Sequence, residues 1–273
     1  MATVLDDINA GVREDMEARK RLVSLAELKE LAAAAAPARD AWAALDGPSA
    51  RRDQLKVIAE IKRRSPSKGD LATIVDPASL AEQYADGGAA VISVLTEQRR
   101  FNGSLADLDA VRARVDVPLL RKDFTLDEYQ IWEARAHGAD LILLIVASLS
   151  DGELRDFSAL SRELGMNVLV ETHTEEEIER AVAAEARIIG VNVRNLKTLD
   201  VDRSVFASLA GMIPAGALVI AESGVRGVDD VTHYAASGAN AILVGEALVS
   251  DSTPRDRIAE FTAAGAAAIA ARA

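Results

Sequence analysis

The chain has 273 residues, which suits one large α/β domain or two smaller ones and allows a core that needs no disulfide for stability. It has no cysteine, and its histidines, His137, His173 and His233, lack metal-ligand spacing, so we predict no metal site. The formal net charge of −12 argues against nucleic-acid binding, and the longest apolar run near the middle, LILLIVA, is too short to span a membrane, so we expect a cytoplasmic protein.

The chain has two parts that differ in sequence pattern. Residues 1–50 alternate alanine-rich and charged segments, which is typical of helices. Beyond them, short apolar runs rich in β-branched residues alternate with helical patterns. This alternation predicts a parallel sheet with crossover helices. We predict eight strands, near residues 57–61, 90–95, 117–121, 139–145, 167–171, 187–192, 217–222 and 240–244.

A weak internal repeat supports these strands. GGAAVISV (87–94), HGADLILL (137–144) and SGANAILV (237–244) each place a glycine at a helix end, where a left-handed cap suits it, before a wholly apolar strand. Helix starts are also marked. Asp76 precedes Pro77 as a predicted N-cap, and Thr174 with Glu177 three residues later predicts a capping box.

Eight strands favour a closed (β/α)8 TIM barrel over a doubly wound open sheet. The open-sheet alternative would place a GxGxxG fingerprint after the first strand, where the sequence reads KRRSPSKG instead. We therefore predict a single barrel domain over residues 1–273, with residues 1–50 as an N-terminal helical extension.

Polar residues stand at the C-terminal ends of five predicted strands. All parallel strands of such a barrel direct these ends to one mouth, where catalytic groups collect. The residues concerned are Glu60, Lys62, Lys122, Glu171, Asn192, Glu222 and Ser223.

The charged members of this set suggest acid–base chemistry. Glu60 and Lys62 are two residues apart on one strand and so share a face, where they could also form a merely structural ion pair. Lys122 follows PLLR, and burial would oppose its charged form and tune it for proton transfer. The alternative is a surface lysine. Glu171 ends NVLVE, although a carboxylate there could simply bond the nearby backbone.

Strand six supplies different chemistry. Asn192 and Arg194 are again two apart, and the planar fork of Arg194 suits a carboxylate, with a turn role as the alternative. Phe124 could line an apolar pocket or belong to the core.

Two loops suggest a phosphate site. Ser223 and Gly224 follow strand seven, and Gly245 and Glu246 follow strand eight, where barrels of this class often bind phosphate on backbone N–H groups. The donor-rich loop with Ser67 could contribute. We expect Glu246 to point away from a dianion.

Taken together, the segments VIAEIKRRSPSKG, RKDF, LVETHT, GVNVRNL, AESGV and ILVGEAL resemble the indole-3-glycerol-phosphate synthase family over nearly the whole chain. The departure is Glu246, where a serine or threonine is common, which puts one side-chain phosphate contact in doubt. The resemblance implies conversion of 1-(2-carboxyphenylamino)-1-deoxyribulose 5-phosphate to indole-3-glycerol phosphate, carbon dioxide and water, without cofactor or metal.

It also implies residue roles. Lys122 would be the general acid of ring closure, Lys62 and Glu171 would serve dehydration with the division between the lysines left open, and Glu60 would orient Lys62. The predicted catalytic set is Lys122, Glu171, Lys62, Glu60, Asn192 and Ser223. The predicted substrate-binding set is Ser67, Phe101, Phe124, Arg194, Leu196, Glu222, Gly224, Gly245 and Glu246. Arg194 with Asn192 would hold the carboxylate or order its surroundings, and Glu222 with Ser223 would contact the sugar hydroxyls or support the base. Phe101, Phe124 and Leu196 would enclose the ring, and Ser67, Gly224, Gly245 and Glu246 would lie near the phosphate.

Two alternatives remain. Another phosphate-binding barrel, such as phosphoribosylanthranilate isomerase, would favour a Cys/Asp or Asp/Asp pair, whereas this chain offers Lys and Glu. A non-catalytic barrel could bind a phosphorylated ligand or scaffold a partner, but the polar strand ends would then cost stability without purpose. We expect a phosphorylated small molecule as the partner, a monomer or weak homodimer, and no membrane or nucleic-acid binding.

Overall fold

The computed structural model describes residues 3–46, 53–65, 69–71, 74–195, 198–249 and 253–272. Eight parallel strands close into a barrel in which each strand pairs with the next along the chain and the last pairs with the first. The strands are β1 (Lys56–Ile61), β2 (Val91–Leu95), β3 (Leu119–Lys122), β4 (Leu141–Ile145), β5 (Asn167–Thr172), β6 (Ile188–Asn192), β7 (Leu218–Glu222) and β8 (Ala241–Val244). The predicted eight-stranded barrel is confirmed, and the open sheet is excluded.

Helices surround this barrel, and three of them precede it. The helices are α1 (Val4–Lys20), α2 (Leu25–Ala34), α3 (Ala41–Asp46), α4 (Pro77–Asp86), α5 (Leu105–Arg112), α6 (Glu128–Ala136), α7 (Asp151–Glu163), α8 (Glu175–Ala183), α9 (Phe206–Gly211), α10 (Val228–Ala236) and α11 (Pro254–Arg272). The predicted helical character of the N-terminal extension is therefore confirmed over its described part. Within the described ranges, no helix is both long and apolar enough to cross a membrane.

Local signals explain where several elements begin and end. Gly88, Gly138 and Gly238 follow helices with φ of 90°, 76° and 101°, as the repeat predicts. Asp76 caps α4 by accepting from the N–H groups of Ala78 and Ser79.

The predicted capping box at α8 is wrong in one half. The Thr174 hydroxyl accepts from the N–H of Glu177 at 3.2 Å, as expected. The Glu177 carboxylate, however, accepts from the N–H of His173 at 2.7 Å and lies 3.1 Å from the His173 ring, instead of returning to Thr174. The imidazole beside it explains this preference, because it offers a second donor to the same oxygen.

The core has two parts, set by strand alternation. Ile58 belongs to the apolar cluster inside the barrel, whereas its neighbours Val57 and Ala59 belong to the cluster between strands and helices. Each buried leucine or isoleucine contributes about 1.5–3 kcal/mol. At the N-terminal end of the strands, α3 joins the inner cluster, and the Arg187 guanidinium lies 4.1 Å from the centre of the Trp42 ring. Among the described residues, α3 thus covers the N-terminal end of the barrel interior.

Candidate active site

The same alternation directs polar side chains into the C-terminal mouth of the barrel, above the apolar interior. The seven strand-end residues predicted from the sequence all line one pocket there. Helix α1 adds apolar side chains to its wall. The predicted residues that line this pocket are Glu60, Lys62, Phe101, Lys122, Phe124, Glu171, Asn192, Arg194, Glu222, Ser223, Gly224, Gly245 and Glu246. Ser67 and Leu196 lie outside the described residues.

Lys122 is central to the charged groups of this pocket. It is the last residue of β3 and points inward like Leu120, two residues earlier. Its Nζ donates to Oε2 of Glu222 at 3.1 Å and lies 3.4 Å from Oε2 of Glu171. The lysine side chain is 13 % exposed, and both carboxylates are buried.

The pKa of Lys122 is raised, not lowered. Burial opposes the ammonium form, but the nearby carboxylates of Glu222, Glu171 and Glu60 outweigh it. Burial does oppose the charged form of this lysine, as expected, but its pairing with the carboxylates decides the net direction of the pKa shift. Lys122 is an ammonium at neutral pH.

The two carboxylates that flank Lys122 differ in proton affinity. Burial raises the pKa of both, yet for Glu171 the charges of Lys122 and His173 and a bond from Asn192 prevail, and its pKa is well below the ordinary range. For Glu222, burial and the negative charge of Glu171 prevail over Lys122 and raise its pKa to about 8. Of the two, Glu171 is therefore the more acidic carboxylate, and a proton taken up by the pair is held more readily at Glu222.

A second lysine–glutamate pair stands at the end of β1. Lys62 Nζ donates to Oε1 of Glu60. Burial opposes ionisation of Glu60, but Lys62 and Lys122 together lower its pKa. The pair therefore places a second ammonium at the mouth, next to the Lys122 cluster.

A hydrogen-bonded chain connects strands β5, β6 and β7. Asn192 Nδ2 donates to Oε1 of Glu171 at 3.0 Å, and the Ser223 hydroxyl donates to Oδ1 of Asn192 at 2.8 Å. Ser223 has φ of 70°, held by a bond from the Tyr234 hydroxyl to its carbonyl at 3.1 Å. Arg194 lines the pocket but also donates from Nη1 to the carbonyl of Leu199 at 2.8 Å, so it has the turn role as well.

Two aromatic rings form an apolar wall. The centres of Phe101 and Phe124 are 6.2 Å apart with tilted planes. The loop of Phe101 is anchored by Glu97, whose buried carboxylate accepts from the N–H groups of Arg99, Arg100 and Phe101 at 3.0, 2.7 and 3.0 Å. Glu97 is not among the residues predicted from the sequence. Its position just past the strand VISVL is the available signal.

The loops after β7 and β8 bring small residues close to these charged groups. Gly224 has φ of 81°, a conformation that favours glycine. A Cβ at Gly245 would lie 3.2 Å from the carbonyl oxygen of Glu60, so glycine there permits close packing against β1. Glu246 is exposed and lines the pocket, and its expected orientation away from a phosphate stays a prediction.

His173 is a further residue that the sequence analysis missed. Its Nε2 lies 3.3 Å from Oε1 of Glu171, and its side chain is 9 % exposed. Burial opposes the charged ring, but Glu171 and Glu177 raise its pKa to about 9. The signal was available, because residues two apart at a strand end share a face and His173 is two residues beyond Glu171.

A closed parallel barrel with lysine and glutamate side chains at its C-terminal mouth places this chain in the class of (β/α)8-barrel proteins. Residues 5–261 match the family model described as indole-3-glycerol phosphate synthase. Proteins of that name from Arthrobacter sp. (strain FB24) and Paenarthrobacter aurescens (strain TC1) are 86% and 83% identical over 270 residues, which is 99% of each chain. The chain therefore belongs to the indole-3-glycerol phosphate synthase family, whose members are carboxy-lyases of tryptophan biosynthesis.

Solved structures of low identity agree on the fold. A 3-hexulose-6-phosphate synthase from Salmonella typhimurium has a TM-score of 0.64 at 13% identity, covering 80% of this chain and 100% of the other. A thiamine phosphate pyrophosphorylase from Pyrococcus furiosus has a TM-score of 0.60 at 14% identity, covering 81% and 100%. At such identities, the likeness concerns the barrel alone.

Proposed function

We propose that this chain converts 1-(2-carboxyphenylamino)-1-deoxy-D-ribulose 5-phosphate to indole-3-glycerol phosphate, carbon dioxide and water. Family membership supports the reaction. The observation that carries the mechanism is the ammonium of Lys122 between two buried carboxylates of unequal proton affinity. Groups whose surroundings separate their pKa values in this way divide acid and base roles between them.

Lys122 acts first in this mechanism. The ring carbon that bears the carboxylate attacks the C2 carbonyl, and the carbonyl oxygen becomes a hydroxyl that needs one proton. The Nζ of Lys122 stabilises the developing negative charge and donates that proton. Its raised pKa keeps the ammonium form available at neutral pH. Loss of carbon dioxide then leaves the electron pair that restores the aromatic ring.

Dehydration uses the other charged groups. The hydroxyl leaves as water after a second protonation, for which Lys62 is the candidate, oriented by Glu60. Glu171, ionised and held by Asn192, removes the proton that completes the double bond. Ser223 supports Asn192, and Glu222 supports Lys122, so both act through the groups that they contact.

The remaining pocket residues bind the substrate. Phe101 and Phe124 enclose the aromatic ring with Leu196, and Arg194 holds the carboxylate. The phosphate lies near the backbone of Gly224 and Gly245, with Ser67 as a further donor and Glu246 at the edge. We also propose that residues 1–273 form one domain. The cytoplasmic location, the weak or absent self-association and the lack of nucleic-acid, membrane and metal binding stay predictions.

The test is a single assay. Purified protein receives the aminodeoxyribulose phosphate without added metal or nucleotide, and the fluorescence of the indole product is followed. We expect a signal that grows with enzyme concentration and vanishes in Lys122→Met. No signal from folded wild-type protein would favour the alternative of a barrel that only binds a phosphorylated ligand.

A further inference from the structure

The imidazole of His173 bridges two carboxylates of different elements. On one side, Nε2 lies 3.3 Å from Oε1 of Glu171 at the end of β5. On the other side, Nδ1 lies 3.1 Å from Oε2 of Glu177 in the first turn of α8. Nε2 is buried and makes no geometrically complete hydrogen bond within the described structure, so its contact with Oε1 of Glu171 is an ion pair of the protonated ring.

The outer carboxylate is fixed independently of the ring. The N–H of Glu177 donates to the Thr174 hydroxyl at 3.2 Å, and its carboxylate accepts from the N–H of His173 at 2.7 Å. A carboxylate in the first turn of a helix is also favoured by the helix dipole. The Glu177 side chain is thus a rigid support against which the imidazole can be oriented.

We propose that His173 is a positioning residue, held by Glu177, which fixes the Glu171 carboxylate and keeps it ionised for proton abstraction. The inference rests on the proposed role of Glu171 as the base. Oε1 of Glu171 then accepts a hydrogen bond from Asn192 and contacts His173, while Oε2 contacts Lys122. Both oxygens of the carboxylate are therefore oriented. Partners of this kind fix the rotamer of a reacting group and set its proton affinity.

Charge decides the form in which His173 acts. The carboxylates that face the ring are Glu171 from β5 and Glu177 from α8, and Lys122 and Glu222 lie beyond Glu171. The two adjacent carboxylates outweigh burial, so the ring is an imidazolium at neutral pH, with Nδ1 hydrogen-bonded to Glu177 and Nε2 in ion-pair contact with Glu171. It therefore acts as a cationic clamp, and it cannot accept the proton that Glu171 removes.

The first test needs no substrate. The chain has three histidines, so side-chain NMR of histidine-labelled protein gives three titrations, and His173→Asn identifies the relevant one. We expect His173 to titrate near pH 9 in the wild type and closer to the ordinary pH 6.5 in Glu177→Gln. An ordinary titration in the wild type would overturn the clamp, whether or not the enzyme turns over the proposed substrate.

The second test is kinetic. In His173→Asn we expect kcat to fall about tenfold with KM changed less than about twofold, because a misplaced base weakens only the chemical step. The acid limb of the kcat profile should move to higher pH, since Glu171 loses a cationic neighbour. Glu177→Gln, which keeps the ring, should show the same changes at smaller size.

The matched control is His137→Asn. This histidine also pairs with a carboxylate, Asp109 at 2.7 Å, but it caps α6 and is absent from the mouth. It should leave kcat and its pH profile unchanged. If both His173→Asn and Glu177→Gln fold and keep the wild-type acid limb, His173 is structural only and the inference fails. If His173→Asn does not fold, the acid limb of Glu177→Gln decides alone.

Discussion

Two buried carboxylates at opposite ends of the barrel contrast in how well they are satisfied. At the N-terminal end, Oδ1 of Asp140 accepts from the N–H of Arg39 at 2.7 Å, and Oδ2 accepts from Nη1 of Arg112 at 2.7 Å and the N–H of Leu119 at 2.8 Å. At the mouth, Oε2 of Glu222 meets Lys122, and Oε1 has no hydrogen-bond partner within the described parts of the chain.

The comparison indicates that Asp140 serves stability, whereas Glu222 serves the chemistry of the mouth. A buried acceptor without a partner costs about 1–3 kcal/mol, whereas a fully bonded one anchors the elements around it. Asp140 joins the residues before α3, the end of α5 and the start of β3, so it organises the closed end. Glu222 leaves the mouth less stable but shifts proton affinities there. Mutations at the closed end should therefore lower stability, and mutations at the mouth should lower turnover.

The largest effect is expected at the mouth, in Lys122→Met. Turnover should fall by roughly 10³–10⁴-fold, because the proton donor of ring closure is lost, while binding of the product persists. Steady-state kinetics and fluorescence titration with indole-3-glycerol phosphate measure the two quantities. Turnover close to wild type would refute Lys122 as the general acid.

At the closed end, Asp140→Ala should act on stability instead. Removing the carboxylate leaves Arg112 without its buried partner and should lower the free energy of unfolding by about 3–5 kcal/mol. Urea denaturation measures this loss. In the fraction that remains folded, kcat/KM should match the wild type, and a fall in kcat at constant stability would erase the contrast between the two ends.

Glu171→Gln is expected to lower kcat by roughly 10²-fold, with a smaller rise in KM, since the amide keeps the shape of the side chain but cannot take a proton. Initial rates over a range of substrate concentrations separate the two constants. A change confined to KM would make Glu171 a binding group.

The barrel and most of the residues at its mouth were predictable from the sequence, because strand alternation and strand ends depend on local sequence pattern. Eight apolar runs predicted the barrel, and the polar residues at the ends of five of these runs predicted which side chains meet at the mouth. Strands β3 and β4 nevertheless begin two residues later than predicted. Pro118 has no N–H for the ladder, so β3 begins at Leu119, and β4 begins after Asp140, whose side chain binds the β3 backbone.

The sequence could not show how burial and nearby charges balance in setting each pKa. Burial alone predicts a lowered pKa for Lys122, and only the positions of three carboxylates reverse the direction. Nor does a pattern show that two glutamates on the same ammonium differ in proton affinity. The spacing of His173 from Glu171 indicated a shared face, but the raised pKa of the ring depends on Glu177 as well, which reaches it from α8.

A smaller effect is expected from Gly190→Ala in β6. A Cβ there would lie 2.0 Å from Oε1 of Glu222, so the carboxylate must move and its bond to Lys122 weakens. We expect kcat to fall about tenfold and stability to fall by about 1–3 kcal/mol.

The control for this variant is Gly152→Ala in α7, where the nearest atom to an added Cβ is the Ser150 hydroxyl oxygen at 3.9 Å. It should keep kcat and gain about 0.5–1 kcal/mol. Equal behaviour of the two variants in kcat would show that Glu222 tolerates displacement.

The smallest effect concerns the pH dependence of stability in Glu222→Gln. The pKa of Glu222 is about 8 in the folded protein against an ordinary 4.5, so between these values the folded state holds a proton that the unfolded state has lost. The contribution of Glu222 is therefore fully present below pH 4.5 and is lost as the pH rises through 8. The wild type should lose on the order of 1 kcal/mol relative to Glu222→Gln across this window, because proton sharing with Glu171 blunts the titration. Urea denaturation at closely spaced pH values measures the difference.

Glu171→Gln provides the opposite sign, since the lowered pKa of Glu171 stabilises the folded state above pH 4.5 and that stability is lost as the pH falls. A wild type that gains stability over Glu222→Gln with rising pH would show that Glu222 is ionised at neutral pH, and the two carboxylates beside Lys122 would then be alike.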